Sequence, residues 1–160
     1  MATVYVGLGS NIDPEDNLHL GIRELRGRYG ELELSAVYRS KAVGFEGDDF
    51  LNLVARFESK DTPQAICEHI ELIHNLTGRE GGKWESRPLD IDLLLYNDQV
   101  IEEPPVRIPR DDVLEYSFVL RPLAELAPGL VHPVTGRTML DHWQKFDAAS
   151  HPLDVVGVIL

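Results

Sequence analysis

Residues 87–96 read Arg87-Pro88-Leu89-Asp90-Ile91-Asp92-Leu93-Leu94-Leu95-Tyr96, and no other stretch carries so clear a structural signal. The alternation predicts a strand over Leu89–Tyr96 whose buried face holds Leu89, Ile91, Leu93 and Leu95. Asp90 and Asp92 then share the opposite face, about 6.6 Å apart at about 3.3 Å per residue. Asp is depleted in strands, so this pair favours a functional role over simple solvation of a polar face, which stays the alternative.

Two adjacent carboxylates repel each other, and a cation between them relieves that repulsion. Hard divalent cations such as Mg²⁺ prefer oxygen ligands and are commonly held together with the phosphates of a nucleotide. Basic residues that can clamp phosphate charge come just before the pair, at Arg79, Lys83 and Arg87. Ordinary surface charge is the alternative, because acidic residues lie among them. The pattern indicates a site for magnesium and phosphate.

Outward from this strand, alternating apolar residues predict three more strands, at Thr3–Leu8, Leu32–Arg39 and Phe50–Glu58. In the second of them one face is expected to hold Leu32, Leu34, Ala36 and Tyr38. Two amphipathic helices lie between strands. They begin at Asp13-Pro14 and Thr62-Pro63, a capping residue followed by proline, and end at Gly30 and Gly78.

The predicted order β-α-β-β-α-β indicates an α+β fold, a ferredoxin-like sandwich. Its antiparallel sheet is expected to carry the helices on one face and to leave the other face free for function. Beyond Tyr96 we expect an irregular C-terminal extension. It is predicted to contain short helices at Pro122–Ala127 and Thr138–Gln144 and a last strand at Asp154–Leu160.

Length and composition bound the possible functions. The 160 residues fit one domain, 1–160, and 27 acidic against 15 basic residues give a net charge of −12. Such a surface repels nucleic acid, and no apolar run is long enough to cross a bilayer. The start of the chain lacks the features of a signal peptide, and the single cysteine, Cys67, excludes an internal disulfide. We expect a cytoplasmic protein that binds neither nucleic acid nor membrane.

Phe50 and Asn52 should share the open face of their strand. An aromatic ring beside an amide can stack on a flat heterocycle and hydrogen-bond to it, although Phe50 could also simply cap the edge of the sheet. Familiar nucleotide motifs are absent. The sequence has no P-loop, and Gly7-Leu8-Gly9 begins like a dinucleotide fingerprint whose third glycine is replaced by Ile12.

Together these residues resemble the 6-hydroxymethyl-7,8-dihydropterin pyrophosphokinase family, and the resemblance runs from Gly9 to about Trp143. Its most specific motif is Arg87-Pro88-Leu89-Asp90-Ile91-Asp92. The other anchors are Gly9-Ser10-Asn11, Tyr38-Arg39-Ser40, Phe50-Leu51-Asn52, Gly78-Arg79, Trp84, Ile108-Pro109 and Phe118-Val119-Leu120-Arg121-Pro122-Leu123.

The resemblance implies transfer of pyrophosphate from ATP to the hydroxymethyl group of the pterin, releasing AMP, in folate biosynthesis. It implies two Mg²⁺ ions held by Asp90 and Asp92, with Arg79 and Arg87 as catalytic contacts to the phosphates. The residues implied to bind the pterin are Ser40, Val43, Phe50, Asn52, Trp84 and Phe118. Those implied to bind ATP are Glu71, Lys83, Ile91, Arg107 and Arg110. We expect ATP and a dihydropterin as the small-molecule partners of a monomer or weak dimer.

The sequence also departs from the family pattern, mostly on the side implied to bind ATP. Arg110-Asp111 stands where His-Tyr is common, His74 where Glu is usual, and Tyr116 where Arg is usual. These changes leave a second hypothesis open: a catalytically weakened paralogue that acts as a pterin- or nucleotide-binding module.

Overall fold

The structure, a computed structural model, describes residues 1–41, 47–78 and 88–160. In this part of the chain the strands are β1 Ala2–Ser10, β2 Glu33–Leu34, β3 Val37–Ser40, β4 Phe50–Ser59, β5 Asp90–Tyr96 and β6 Asp154–Val156. The helices are α1 Pro14–Tyr29, α2 Pro63–Leu76, α3 Asp112–Glu115, α4 Ser117–Leu126 and α5 Met139–Lys145, followed by one 3-10 turn at Ala148–Ser150. The fold is α+β, as predicted.

All strands belong to one antiparallel sheet in the order β5-β1-β4-β3-β6, with β2 beside β4. The central strand β1 pairs with β4 along its whole length, from Ala2 opposite Ser59 to Ser10 opposite Leu51. It also pairs with β5, where Gly9 lies opposite Asp90. The carboxyl end of β1 therefore lies between the first residues of β4 and β5.

Helices α1 and α2 cover one face of the sheet. They bury Leu18, Ile22, Leu25, Ile66, Ile70 and Ile73 against a core that includes Val4, Val6 and Leu8. The Thr62 hydroxyl caps α2 by accepting a hydrogen bond from the Ala65 amide at 3.2 Å, as predicted. Asp13 occupies the N-cap position of α1, but it adopts φ 41° and its side chain makes no capping bond. Both helices begin at the proline that the sequence indicated.

A bulge in β5 corrects the predicted alternation of that strand. Val6 lies opposite Leu93 and Tyr5 opposite Leu95, so Leu94 is an extra residue with no partner position on β1. An inserted residue reverses the side-chain alternation that follows it. Leu89, Ile91 and Leu93 pack against α1 and α2, whereas Leu95 packs with Leu94 on the second face. The prediction that Leu95 shares a face with Leu89 is wrong.

The strand predicted over Leu32–Arg39 is broken in the same way. The register against β4 gains one residue between Leu34, opposite Ala55, and Tyr38, opposite Asn52. Leu34 packs on the core beneath α1 and α2, but the Tyr38 hydroxyl bonds to Glu125 of α4, on the other face. The expectation that Leu34 and Tyr38 share a face is therefore also wrong.

The second face of the sheet is not left free, which corrects the prediction of helices on one face only. Helix α4 packs there, and its Val119, Leu120 and Leu123 form a second core with Tyr5, Val54 and Leu94. The C-terminal extension contains both predicted helices, but α4 begins at Ser117 and runs through Pro122, and the last strand covers only Asp154–Val156. Within the described residues no helix combines the length and apolar character that crossing a membrane requires. Helix α4 covers only part of this face, and a cavity opens beside it.

Candidate active site

A cavity of about 360 Å³ lies on the second face of the sheet, over the carboxyl end of β1. Nine residues that the sequence singled out line it: Ser40, Phe50, Asn52, Glu71, Asp90, Ile91, Asp92, Arg110 and Phe118. They come from six separate parts of the chain, and the sheet and α4 bring them together. The cavity thus gathers most of the predicted site residues that the structure describes.

Asp90 and Asp92 both line this cavity, so the two carboxylates share one face of β5. Across the sheet they lie opposite Gly9 and Gly7, which place no side chain beside them. Burial, and after it the charge of Asp90, raise the pKa of Asp92 to about 7, while Arg110 opposes the shift. The site therefore concentrates negative charge in a poorly solvated place and favours a cation there.

Arg110 supplies positive charge beside this pair. Its Nη2 lies 3.6 Å from Asp92 Oδ1, and its Nε lies 3.3 Å from Asp112 Oδ2. The Arg110 amide also donates to the Leu94 carbonyl at 3.0 Å, which fixes the main chain of this residue against β5. The guanidinium thus lies between two carboxylates and offsets part of their charge.

Phe50 and Asn52 form the opposite side of the cavity, on the same face of β4. The Asn52 side chain is buried, and its Nδ2 donates to Ser40 Oγ at 2.7 Å. Phe118 stacks on Tyr116 with ring centroids 5.0 Å apart and planes 17° from parallel. Aromatic rings and a fixed amide therefore line this side of the cavity, a combination suited to a flat heterocycle.

Glu71, His74 and Ile91 form a hydrogen-bonded chain at the edge of β5. The Ile91 amide donates to His74 Nε2 at 2.9 Å, so the ring proton resides on Nδ1, which lies 3.0 Å from Glu71 Oε1. Because the Ile91 side chain is buried in the core, this residue can offer a ligand only its main chain.

Five predicted site residues lie outside the described residues: Val43, Arg79, Lys83, Trp84 and Arg87. Arg107 is described but does not line the cavity. Its side chain is largely exposed and pairs with Asp111 at 3.0 Å.

Ten other residues line the cavity without a predicted role, among them Lys41, His74, Asp112, Tyr116 and Val119. His74 and Tyr116 did stand out, but only as departures from the family pattern. No sequence pattern marks Asp112, because it follows a segment without periodicity and is brought to the site only by tertiary folding. Its carboxylate adds a third negative charge near Asp92.

The donor atoms fit a hard cation. Asp90 and Asp92 offer carboxylate oxygens only, as Mg²⁺ prefers. Among the side chains that the structure describes, no group of three or more His, Cys, Asp or Glu is placed to enclose a metal ion. Mg²⁺ commonly keeps several waters and is held by one or two carboxylates together with phosphates, so an open pair of this kind suits it.

Comparison with known proteins gives a consistent result. Residues 5–128 match the family model for 7,8-dihydro-6-hydroxymethylpterin-pyrophosphokinase. The 2-amino-4-hydroxy-6-hydroxymethyldihydropteridine pyrophosphokinase of Aquifex aeolicus is 39% identical over 137 residues, covering 84% of this chain and 86% of that protein. The Haemophilus influenzae protein of the same name is 33% identical over 138 residues, covering 83% and 86%.

Solved structures show the same fold. A crystal structure of Plasmodium falciparum HPPK-DHPS aligns with 90% of this chain at a TM-score of 0.72 and 13% identity. The chain spans 44% of the length of that protein. At this identity the likeness concerns the fold alone.

Proposed function

The chain belongs to the 7,8-dihydro-6-hydroxymethylpterin-pyrophosphokinase family, and we propose that it transfers pyrophosphate from ATP to the hydroxymethyl group of 6-hydroxymethyl-7,8-dihydropterin in folate biosynthesis. One observation carries the proposal: a single cavity holds the carboxylates of Asp90 and Asp92 together with Phe50, Asn52 and Phe118. The relatives that align with most of the chain are named as enzymes, so the alternative of a mere binding module is not favoured.

In this proposal the pterin lies between the aromatic rings of Phe50 and Phe118. The Asn52 amide faces it from the floor of the cavity. Because Nδ2 of Asn52 is already bonded to Ser40, its Oδ1 is the atom left to accept a hydrogen bond from the heterocycle. A flat ring with donor groups on its edge can stack between the two aromatic rings and donate to Asn52 Oδ1.

Asp90 and Asp92 would hold magnesium, and we propose two ions. When bound, Mg²⁺ neutralises phosphate charge and aligns the phosphates for displacement. Arg110 lies beside the same carboxylates and is placed to contact a phosphate group. Glu71 and the main chain of Ile91 border the same region, which supports their assignment to ATP. Arg79, Lys83 and Arg87 stay predictions from the sequence.

The reaction asks little covalent chemistry of the protein. The pterin hydroxyl oxygen forms a bond to the β-phosphorus, the bond from that phosphorus to the oxygen bridging it to the α-phosphate breaks, and AMP leaves with that oxygen as the hydroxyl proton is lost. Positioning and charge neutralisation dominate such transfers. The side chains of this site accordingly orient the pterin and hold the phosphates, and a protein nucleophile is not required.

We extend the proposal to the architecture. The order β5-β1-β4-β3 with α1 and α2 on one face supports a ferredoxin-like core. The two cores share one sheet, which supports a single domain over residues 1–160. ATP and a dihydropterin are the proposed small-molecule partners, while a monomeric or weakly dimeric state and a cytoplasmic location stay predictions.

Formation of AMP from ATP tests the function directly. We expect AMP only when both Mg²⁺ and 6-hydroxymethyl-7,8-dihydropterin are present. Asp90→Asn and Asp92→Asn should each lower kcat by at least about 100-fold, because each removes a negative charge that holds the metal. Both variants should keep the circular dichroism spectrum of the wild type.

The control is Asp141→Asn, since Asp141 is paired with Lys145 on α5, away from the cavity. We expect it to retain full activity. Wild-type activity in both Asp90→Asn and Asp92→Asn would contradict the metal assignment. Tight pterin binding by the wild type without AMP formation at saturating Mg·ATP would instead support the binding module.

A further inference from the structure

Ser10 and Asn11 are two consecutive polar residues with almost no exposure to solvent. Ser10, the last residue of β1, is 0% exposed, and Asn11, which follows it, is 3% exposed. Buried polar side chains are costly unless they are hydrogen-bonded, so their partners indicate what they hold in place. The sequence motif that contains them has no role in the reaction described above.

The Ser10 hydroxyl connects β1 to the chain that enters β5. Two carbonyl groups lie within reach of Ser10 Oγ, those of Pro88 and Ile12. The Ile12 carbonyl already accepts a hydrogen bond from Asn17 Nδ2 at 2.6 Å. A serine hydroxyl has one hydrogen, and the Pro88 carbonyl is the nearer of the two acceptors, so we assign the hydrogen bond to Pro88, two residues before Asp90.

Asn11 makes the equivalent connection on the other side of β1. Its Nδ2 donates to the Asp48 carbonyl at 3.2 Å. Asp48 comes two residues before Phe50, the first residue of β4. The two hydrogen bonds are thus placed alike. Each ends on a main-chain carbonyl, of Pro88 or Asp48, that lies two residues before the first cavity residue of the strand, Asp90 or Phe50.

The sheet register shows why this placement matters. Asn52, Gly9 and Asp90 lie side by side across β4, β1 and β5. Neighbouring strands are about 4.8 Å apart, so the amide that faces the pterin and the carboxylate that faces the metal are set about 10 Å apart by β1 alone. Main-chain pairing with β5 ends at Gly9 and with β4 at Ser10, and beyond these points the two side chains continue the connection.

We propose that Ser10 and Asn11 are positioning residues that align the two halves of the active site, Ser10 for the carboxylates of β5 and Asn11 for the pterin-binding residues of β4. This rests on the proposed function. Pyrophosphate transfer requires the acceptor hydroxyl and the phosphate chain to meet in line, and a displacement of about 1 Å can cost about 100-fold in rate. Because each side chain positions one half of the site, removing Ser10 and removing Asn11 should affect different measured properties.

Two single variants test this division. Ser10→Ala should lower kcat about 10-fold or more and raise the Mg²⁺ concentration needed for half-maximal rate, with the dissociation constant of the pterin within about twofold of wild type. Asn11→Leu, which keeps nearly the size of the side chain but has neither donor nor charge, should weaken pterin binding about 10-fold with the Mg²⁺ requirement unchanged. Calorimetric pterin titrations and steady-state rates at varied Mg²⁺ provide the two readouts. Ser10→Thr, which restores a hydroxyl, should recover kcat.

Ser59→Ala is the matched control. Ser59 is 4% exposed, lies at the opposite end of β4 and accepts a hydrogen bond from the Asp61 amide at 2.9 Å. Ser59→Ala should lower the melting temperature, but it should not change kcat or pterin affinity selectively. If Ser10→Ala and Asn11→Leu do no more than this control, or if both change rate and pterin affinity alike, the proposal is overturned.

Hydrogen exchange separates this proposal from the proposed function, because it requires no ligand. Ser10→Ala should accelerate amide exchange at residues 89–91 and leave residues 51–53 unchanged, and Asn11→Leu should do the reverse. If these local changes occur but the protein neither forms AMP nor binds pterin, the positioning role of Ser10 and Asn11 is supported and the proposed pyrophosphokinase function is refuted. Uniform exchange changes in both variants would refute the geometric role.

Discussion

The main chain of β1 passes directly beneath the Asn52 side chain at Gly9. A Cβ built on Gly9 would lie 2.8 Å from Asn52 Oδ1 and 3.7 Å from Phe50 Cδ1. The first distance is too short for any real contact, and the atom it meets is the acceptor proposed to face the pterin. Gly9 therefore serves the cavity, and the partial resemblance of Gly7-Leu8-Gly9 to a dinucleotide fingerprint reflects packing rather than nucleotide binding.

Gly9→Ala should displace the Asn52 amide and weaken pterin binding by about 10-fold, the effect of losing one buried hydrogen bond. A calorimetric titration with the pterin measures it. Gly27→Ala is the control, because a Cβ on Gly27 meets nothing within 4 Å. We expect the control to bind pterin as the wild type does. Unchanged affinity in Gly9→Ala would show that Asn52 Oδ1 does not contact the ligand.

Elements differ in how well the sequence predicts them. The strands and the two large helices could be predicted because burial on one side imposes a period of 2 or 3.6 on the residues. The two bulges could not. In Leu93-Leu94-Leu95 every residue is apolar, so the inserted Leu94 leaves no mark in the pattern. The helix that the sequence predicts over Pro122–Ala127 is longer in the structure, where α4 begins at Ser117 and runs through Pro122.

The same limit applies to the site. Asp90, Asp92, Phe50 and Asn52 could be predicted, since each interrupts or accompanies a strand whose two faces are readable. Asp112 could not, since its position beside Arg110 depends on how the chain returns after β5. Residues in such connections are positioned by tertiary contacts, so the local periodicity of the sequence does not reveal them.

The turn between α4 and α5 contains a histidine that must be neutral. His132 is buried, and its Nδ1 accepts hydrogen bonds from the amides of Val134 and Thr135 at 3.2 and 3.3 Å. A protonated ring cannot accept there. Burial lowers the pKa of His132, and the charge of His142 lowers it further. The unfolded chain therefore takes up a proton more readily than the folded one, so stability is complete above a pH of about 6.5 and declines as the pH falls below it.

His132→Asn should reduce this loss of stability on acidification, because Asn Oδ1 can accept the same amides without titrating. Urea unfolding at pH 7.5, 6.5 and 5.5 gives the free energies, and the difference between variant and wild type removes the contributions of other titrating groups. His19→Asn is the control, since the His19 side chain is exposed on α1. A pH dependence of the variant equal to that of the wild type would contradict the neutral His132.

At the scale of the whole molecule, the sheet is the common wall of two cores. The core beneath α1 and α2 includes Val4 and Ile22, and the core beneath α4 includes Tyr5 and Leu123. Successive residues of β1 thus enter different cores. The same strands contribute to both cores, so disrupting one core also destabilises the other. The proposed single domain over residues 1–160 should therefore unfold as one unit.

Leu123→Ala tests this coupling. Leu123 is fully buried in the core beneath α4, so its truncation should cost about 2–5 kcal/mol of unfolding free energy. The chain has two tryptophans, and a Trp84→Phe background leaves Trp143, which packs on that core, as the only one. In urea its fluorescence and the far-ultraviolet circular dichroism, which reports the helices on both faces, should shift to lower denaturant together. Leu140→Ala, at a 41% exposed position, is the control and should change the midpoint little. A fluorescence transition that precedes the main circular-dichroism transition would show that the two faces fold independently and would refute the single domain.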